Sequence, residues 1–237
     1  MKEFYQNEWH EIYFKDFSEP SSKLPDKSFY DAYYNLFFKK YNNFNQLDPS
    51  WVSYKIEIAN FINSIIDKGD NILSIGCGIG IVEDALVKSK HGITITAIEP
   101  SINATKWIRN TPNIDLVDGY FPEGLDKKIH YDLAYANNID YVFNQKEYDI
   151  FLQSVITYGI KDFLVITSAN YNFKTAFSLF IKSILGFLHI IENLNKGQFW
   201  GYLRTKTEHK KSLLNAGFSK VQMLKLGKDT IILKASI

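Results

Sequence analysis

Three glycines at alternate positions are the first residues whose spacing suggests chemistry. They stand in Leu73-Ser74-Ile75-Gly76-Cys77-Gly78-Ile79-Gly80-Ile81-Val82-Glu83, where an apolar strand pattern passes through a glycine turn into a helix pattern. Glycine admits positive φ and leaves no side chain between backbone and ligand. The start of the following helix offers unpaired N–H groups. Such a turn binds a cofactor through its backbone. Downstream, Ile95-Thr96-Ala97-Ile98-Glu99-Pro100-Ser101 sets a carboxylate at the end of a second strand pattern. Glu99 there can accept two charge-assisted hydrogen bonds from ribose hydroxyls.

Two cofactor readings follow. A dinucleotide turn spells G-x-G-x-x-G, so that pyrophosphate meets the helix start. Its third glycine would fall on Ile81, whereas this chain has glycine at 76, 78 and 80. Glu99 serves either reading.

The glycine run resembles the first motif of class I S-adenosylmethionine-dependent methyltransferases, the small-molecule type. Asp115-Leu116-Val117-Asp118-Gly119-Tyr120-Phe121-Pro122 resembles the family's segment after strand three, and Tyr131 to Val142 its fourth strand. The C-terminal Ala216-Gly217-Phe218 also looks like that family's late helix end. The resemblance covers roughly residues 70–168 well and 200–237 loosely. It implies S-adenosylmethionine as cofactor, with Gly76, Cys77, Gly78 and Gly80 under its methionine and ribose portions and Glu99 and Pro100 beside the ribose. Asp118 would accept from the adenine amino group, with Gly119 and Tyr120 next to the ring. Ala136 and Asn137 would lie against the cofactor, and Asp140 or Tyr141 would point toward the acceptor. The family's frequent Glu-His or His-His pair is missing here. His209, in the first turn of the late helix, is a further base candidate, set against a plain surface histidine. No histidine and carboxylate spacing suggests a metal site.

The elements that must position these residues form an α/β pattern. Strand patterns at Asn71–Ile75, Ile93–Ile98, Ile114–Val117, Leu133–Ala136 and Phe163–Thr167 alternate with helix patterns at Ile79–Val87, Ser101–Arg109 and Glu147–Tyr158. This alternation predicts a doubly wound, mostly parallel sheet, seven-stranded with the antiparallel C-terminal hairpin Phe218–Leu224 and Thr230–Lys234. Thr205-Lys206-Thr207-Glu208 is a capping box opening the late helix. Residues 1–68 read as a helical N-terminal cap and 69–237 as the methyltransferase domain, with a helical insertion at 170–202 after strand five. Ser101 is expected to cap its helix, and Gly69 to close the helix that begins near Val52.

Composition narrows the partners. With 237 residues, 46% hydrophobic and 22% charged, the chain can bury a substantial core. A net charge of +1 without a basic stripe argues against nucleic acid. One cysteine, and no apolar stretch after Lys2, fit a cytoplasmic setting. The apolar helix pattern at 176–191 suggests packing under the aromatic N-terminal segment, a homodimer, or peripheral membrane contact. Two readings stand for the N-terminal aromatics: ordinary core packing, which is favoured, or a lid that the N-terminal helices and this insertion form over the acceptor pocket, with Tyr30, Tyr33 and Tyr34 reaching the cofactor's methionine end. The leading expectation is methyl transfer to a small-molecule or glycan-precursor acceptor, at oxygen. The alternatives are an NAD-dependent oxidoreductase and an inactive cofactor-binding partner subunit.

Overall fold

A computed structural model of the chain describes residues 1–89, 92–168, 170–171, 197–227 and 230–237. The central strand is β4 (Asn71–Ile75), preceded by β1 (Lys2–Gln6), β2 (Glu8–Trp9) and β3 (Ile12–Tyr13). After it come β5 (Thr94–Glu99), β6 (Ile114–Asp118), β7 (Leu133–Asn137), β8 (Asp162–Thr167), β9 (Gln198–Leu203), β10 (Lys220–Leu226) and β11 (Thr230–Ser236). The helices are α1 (Lys27–Lys40), α2 (Pro49–Asn63), α3 (Ile81–Ser89), α4 (Gln145–Thr157) and, near the C-terminus, α5 (Lys206–Ala216).

Seven strands form one sheet in the order β10-β11-β8-β7-β4-β5-β6. β6, β5, β4, β7 and β8 run parallel, and the terminal hairpin is antiparallel, with β11 against β8. The predicted mixed sheet is therefore the observed one. Strand alternation sorts the core. Leu73, Ala134, Phe163 and Leu233 pack with Tyr148, Leu152 and Leu213 of α4 and α5 on one face. Ile72, Ile95, Tyr135 and Ile232 pack with Ile58, Ile62, Val82 and Leu86 of α2 and α3 on the other. Connections leave β4 and β7 in opposite directions. The crevice outside their C-terminal ends is where open α/β sheets bind ligands.

The capping box predicted for α5 forms, and α4 carries one that the sequence reading did not include. Thr205 accepts from Glu208 N–H, and Glu208 returns the bond to Thr205 N–H, as the capping box requires. Asn144 and Glu147 do the same for α4.

Several expectations are corrected. The first 13 residues are strands rather than helix, because β1 pairs antiparallel with β9, a partner far along the chain. The segment after Ser101 is only a 3-10 turn, Ala104–Trp107, and the Ser101 hydroxyl donates to Asp31 Oδ1 at 2.9 Å instead of capping it. Helix α2 ends on Ser64, so Gly69 lies beyond its cap. The insertion predicted as helical ends in strand β9, and the helix expected at 176–191 lies outside the described residues, with its dimer or membrane contacts. Among the described residues no helix is long and apolar enough to cross a membrane.

A third cluster ties the N-terminal segment down. Phe14, Phe29, Tyr33, Tyr34, Phe37 and Trp200 are buried together with Ile79 and Ile81 of the glycine region. Trp200 on β9 stacks on Phe14 with centroids 4.9 Å apart.

Candidate active site

The glycine turn leaves β4 and returns into α3, held by Gly76 N–H donating to Ile98 O at 2.8 Å. A methyl group on Gly80 would run into Ile108 Cδ1, so only glycine lets the loop lie on that buried side chain. Gly78 has φ +57, and a methyl group there would meet nothing nearer than Tyr34 Oη at 3.8 Å. Its open side faces a cavity.

Glu99 ends β5 beside the loop. Its Oε1 accepts from Ser101 N–H and its Oε2 from Gly78 N–H, each at 3.0 Å. Burial raises its pKa to about 7, against the two backbone donors that favour the charged form. An ionised carboxylate has about four acceptor sites, so two remain for ligand hydroxyls.

The cavity has a volume of about 860 Å³, within the roughly 300–1,000 Å³ of small-molecule sites. Gly76, Cys77, Gly78, Gly80, Glu99, Pro100, Gly119, Tyr120 and Asn137 all line it. The fit of a nucleoside-bearing cofactor can be tested on one buried atom: Asn137 Oδ1 has no hydrogen-bond partner among the described residues and waits on a donor. Together with the open face of Gly78 and the Glu99 carboxylate, it suits a ligand with hydroxyl and amino groups. Asp118 stands apart from the lining. Its side chain is 46% exposed, and its Oδ1 lies 3.9 Å from Lys27 Nζ. Ala136 is buried within the sheet and does not line the cavity.

The far wall is aromatic. Tyr30, Tyr33, Tyr34, Phe37, Trp51, Tyr141 and Trp200 line it. Tyr141 stacks on Trp200 at 6.4 Å and meets Phe4 edge-on at 5.9 Å. Burial drives its phenol well above the usual range, so it is a hydrogen-bond donor at neutral pH.

Asp140 and His209 do not line the cavity. His209 Nε2 lies 3.4 Å from Asp140 Oδ2, and both residues are buried. Tyr148 Oη sits 3.0 Å from His209 Nδ1, and Thr167 donates to Asp140 Oδ2 at 3.0 Å. Arg204 donates to the Asp140 and Phe143 carbonyls at 2.6 and 2.5 Å. Burial raises Asp140 to about 7 and lowers His209 to about 3, so both are driven toward neutral forms. The surface reading of His209 is overturned, because α4 and α5 pack over it.

Three wall residues escaped the sequence reading. His10 Nε2 is buried without a partner, and burial lowers the imidazole to about 4. Lys55, on α2, is lowered to about 8 by desolvation. Glu83 is buried and its Oε1 accepts from the Ser74 and Tyr135 hydroxyls at 2.6 Å each. A carboxylate in the apolar face of α3 was the one visible signal. His10 and Lys55 gave none. Among the described residues no group of three histidine, cysteine or acidic side chains is placed to hold a metal.

Comparison with known proteins comes to the same fold. A family profile described as a methyltransferase domain matches residues 50–216. The structure is similar to human N-acetylserotonin methyltransferase in complex with SAM, at 17% identity and a TM-score of 0.60, over 89% of this chain and 56% of that one. It is similar to the mitomycin 7-O-methyltransferase, at 15% identity and 0.60, over 89% of this chain and 57% of that one. A putative O-methyltransferase from Nostoc punctiforme aligns at 16% identity and 0.58, over 80% and 61%. At these identities the likeness is one of fold, and this chain spans under two thirds of each of those chains. A search among curated proteins gives no match.

Proposed function

The chain belongs to the methyltransferase-domain family, and from that premise we propose that it transfers the methyl group of S-adenosylmethionine to an oxygen of a small, flat, largely apolar acceptor. When bound, the donor supplies an electrophilic methyl group on a sulfonium whose thioether leaves readily. In this reading Gly76, Cys77, Gly78 and Gly80 carry it on their backbone, and Glu99 accepts from its ribose hydroxyls. Gly119 and Tyr120 flank the adenine, with Asp118 at the rim for its amino group. Asn137 Oδ1 accepts from the donor's amino-acid portion.

The observation that carries the reading is a shared cavity. The Gly78 and Glu99 polar floor and the Tyr33, Phe37 and Trp200 aromatic wall enclose the same space. A flat acceptor fits between such rings, whereas a glycan precursor would leave its hydroxyls facing apolar carbon. The small-molecule part of the expectation is therefore kept and the glycan part set aside.

The protein's work is alignment and exclusion of water, worth roughly 7–11 kcal/mol when the geometry is near attack. Tyr141, on the wall, orients the acceptor by donating a hydrogen bond. His10 Nε2 accepts the acceptor's hydroxyl proton, a role that Asp140 and His209 cannot fill from behind the wall.

Calorimetric titration with S-adenosylhomocysteine and with NAD, followed by turnover on a panel of phenols, sugars and amines, tests the reading. Binding of S-adenosylhomocysteine and methylation of a phenol are expected. Binding of NAD alone would overturn it, and donor binding without turnover on any acceptor would point to an inactive subunit.

A further inference from the structure

The described wall of the cavity carries two lysines. Lys27 already has Asp118 Oδ1 at 3.9 Å. Lys55 has no carboxylate within 4.0 Å and makes no hydrogen bond among the described residues. Its Nζ stands over the faces of Trp51 and Tyr54, at 5.3 and 5.4 Å from their centroids. Cation–π contact holds an ammonium there without neutralising it.

Its neighbours leave it without a direct partner. Glu83, the acidic group that acts on it from beyond 4.0 Å, turns Oε1 to the Ser74 and Tyr135 hydroxyls, while its buried Oε2 makes no hydrogen bond among the described residues. His10, also on this wall, is held neutral by burial. The position is fixed from below, since Asn138 Nδ2 donates to Tyr54 Oη at 3.3 Å and so ties this turn of α2 to the loop after β7. Lys55 lines the cavity together with the β4 and β7 loops, where donor and acceptor would meet. An ammonium partly removed from water with no counter-ion in contact is costly, and a ligand anion removes the cost.

We propose that Lys55 is a carboxylate-binding subsite of this cavity. The inference rests on the methyl-transfer reading only for the source of the carboxylate. That source is either the donor's own amino-acid carboxylate or an acidic group on the acceptor.

The test compares wild type, Lys55→Met and Lys55→Arg in the full chain, by calorimetry. S-Adenosylhomocysteine probes the donor source, and 4-hydroxybenzoate the acceptor source. 5′-Methylthioadenosine, which keeps the nucleoside and thioether but has no carboxylate, reports whether the cavity is intact. We expect Lys55→Met to weaken one carboxylate ligand roughly ten- to hundredfold, with methylthioadenosine unchanged and Lys55→Arg largely restoring it. Loss on S-adenosylhomocysteine assigns the donor, and loss on 4-hydroxybenzoate assigns the acceptor. Unchanged affinity for both carboxylates overturns the subsite and leaves Lys55 as a long-range partner of Glu83. An equal loss on methylthioadenosine overturns it too, as the effect would then be packing. If wild type binds neither adenosine ligand, the methyl-transfer reading fails while the 4-hydroxybenzoate arm still decides the subsite; no binding of any carboxylate overturns both.

Discussion

Gly78 donates its backbone N–H to Glu99 Oε2 at 3.0 Å, so the glycine loop and the carboxylate at the end of β5 are joined before a ligand is present. The bond sets the loop's height above the sheet. It also makes the charge state of Glu99 part of the loop's geometry.

A pH dependence of donor binding follows. Burial holds Glu99 near 7 in the free protein, and ribose hydroxyls favour its ionised form. Below pH 7 the ligand must bind a protonated group or expel its proton. Affinity for S-adenosylhomocysteine should therefore fall with pH below 7, by up to about tenfold per unit. Calorimetry from pH 5 to 8 should show this slope in wild type and a nearly flat line in Glu99→Gln. A flat wild-type profile would remove Glu99 from the donor site.

The glycines should separate folding from binding. Gly80→Ala drives its new methyl into buried Ile108, at a cost of about 1–3 kcal/mol from overpacking alone. Gly78→Ala meets no atom closer than 3.8 Å and carries only the left-handed backbone cost of roughly 1–2 kcal/mol. Its methyl projects into the cavity instead. Thermal melts should show the larger loss for Gly80→Ala, while at a temperature where both are folded Gly78→Ala should show the larger loss of S-adenosylhomocysteine affinity.

His209→Ala tests whether the Asp140 and His209 pair acts through stability. Removing the imidazole leaves the Tyr148 hydroxyl without its partner, costing about 1–3 kcal/mol beyond the lost packing. At about 2–4 °C per kcal/mol for a chain of this size, Tm should drop clearly. Affinity for S-adenosylhomocysteine should stay within about twofold of wild type. A large fall in turnover without a fall in Tm would restore His209 as a catalytic candidate.

His10→Gln should lower kcat/KM on a phenol acceptor by roughly ten- to hundredfold, the worth of a buried hydrogen bond at the reacting hydroxyl. The affinity for S-adenosylhomocysteine should not change. An unaltered kcat/KM would leave the reaction without a base from the N-terminal segment.

Much of the half of the candidate site proposed for the cofactor is local, and hence legible. Strand β4 spans Asn71–Ile75 as its apolar run indicates, and Glu99 ends β5. The Thr205–Glu208 cap forms within four residues. Each of these rests on backbone preference and hydrogen bonds between near neighbours.

The half proposed for the acceptor depends on contacts between distant segments. No periodicity near Lys2–Gln6 marks it as the partner of Gln198–Leu203, since strand pairing needs both edges in place. Ser101 had the composition of a cap, but the Asp31 carboxylate of α1 takes its hydroxyl. Asp140 and His209, 69 positions apart in sequence, meet only once α4 and α5 close on the sheet, and that closure removes both from the cavity. By itself the sequence determined the sheet, the glycine turn and the carboxylate at the end of β5, because these are built from adjacent residues. The tertiary structure alone decided which polar groups face the ligand space, placing His10 and Lys55 on its wall and His209 behind it, because burial and desolvation are properties of the packed whole.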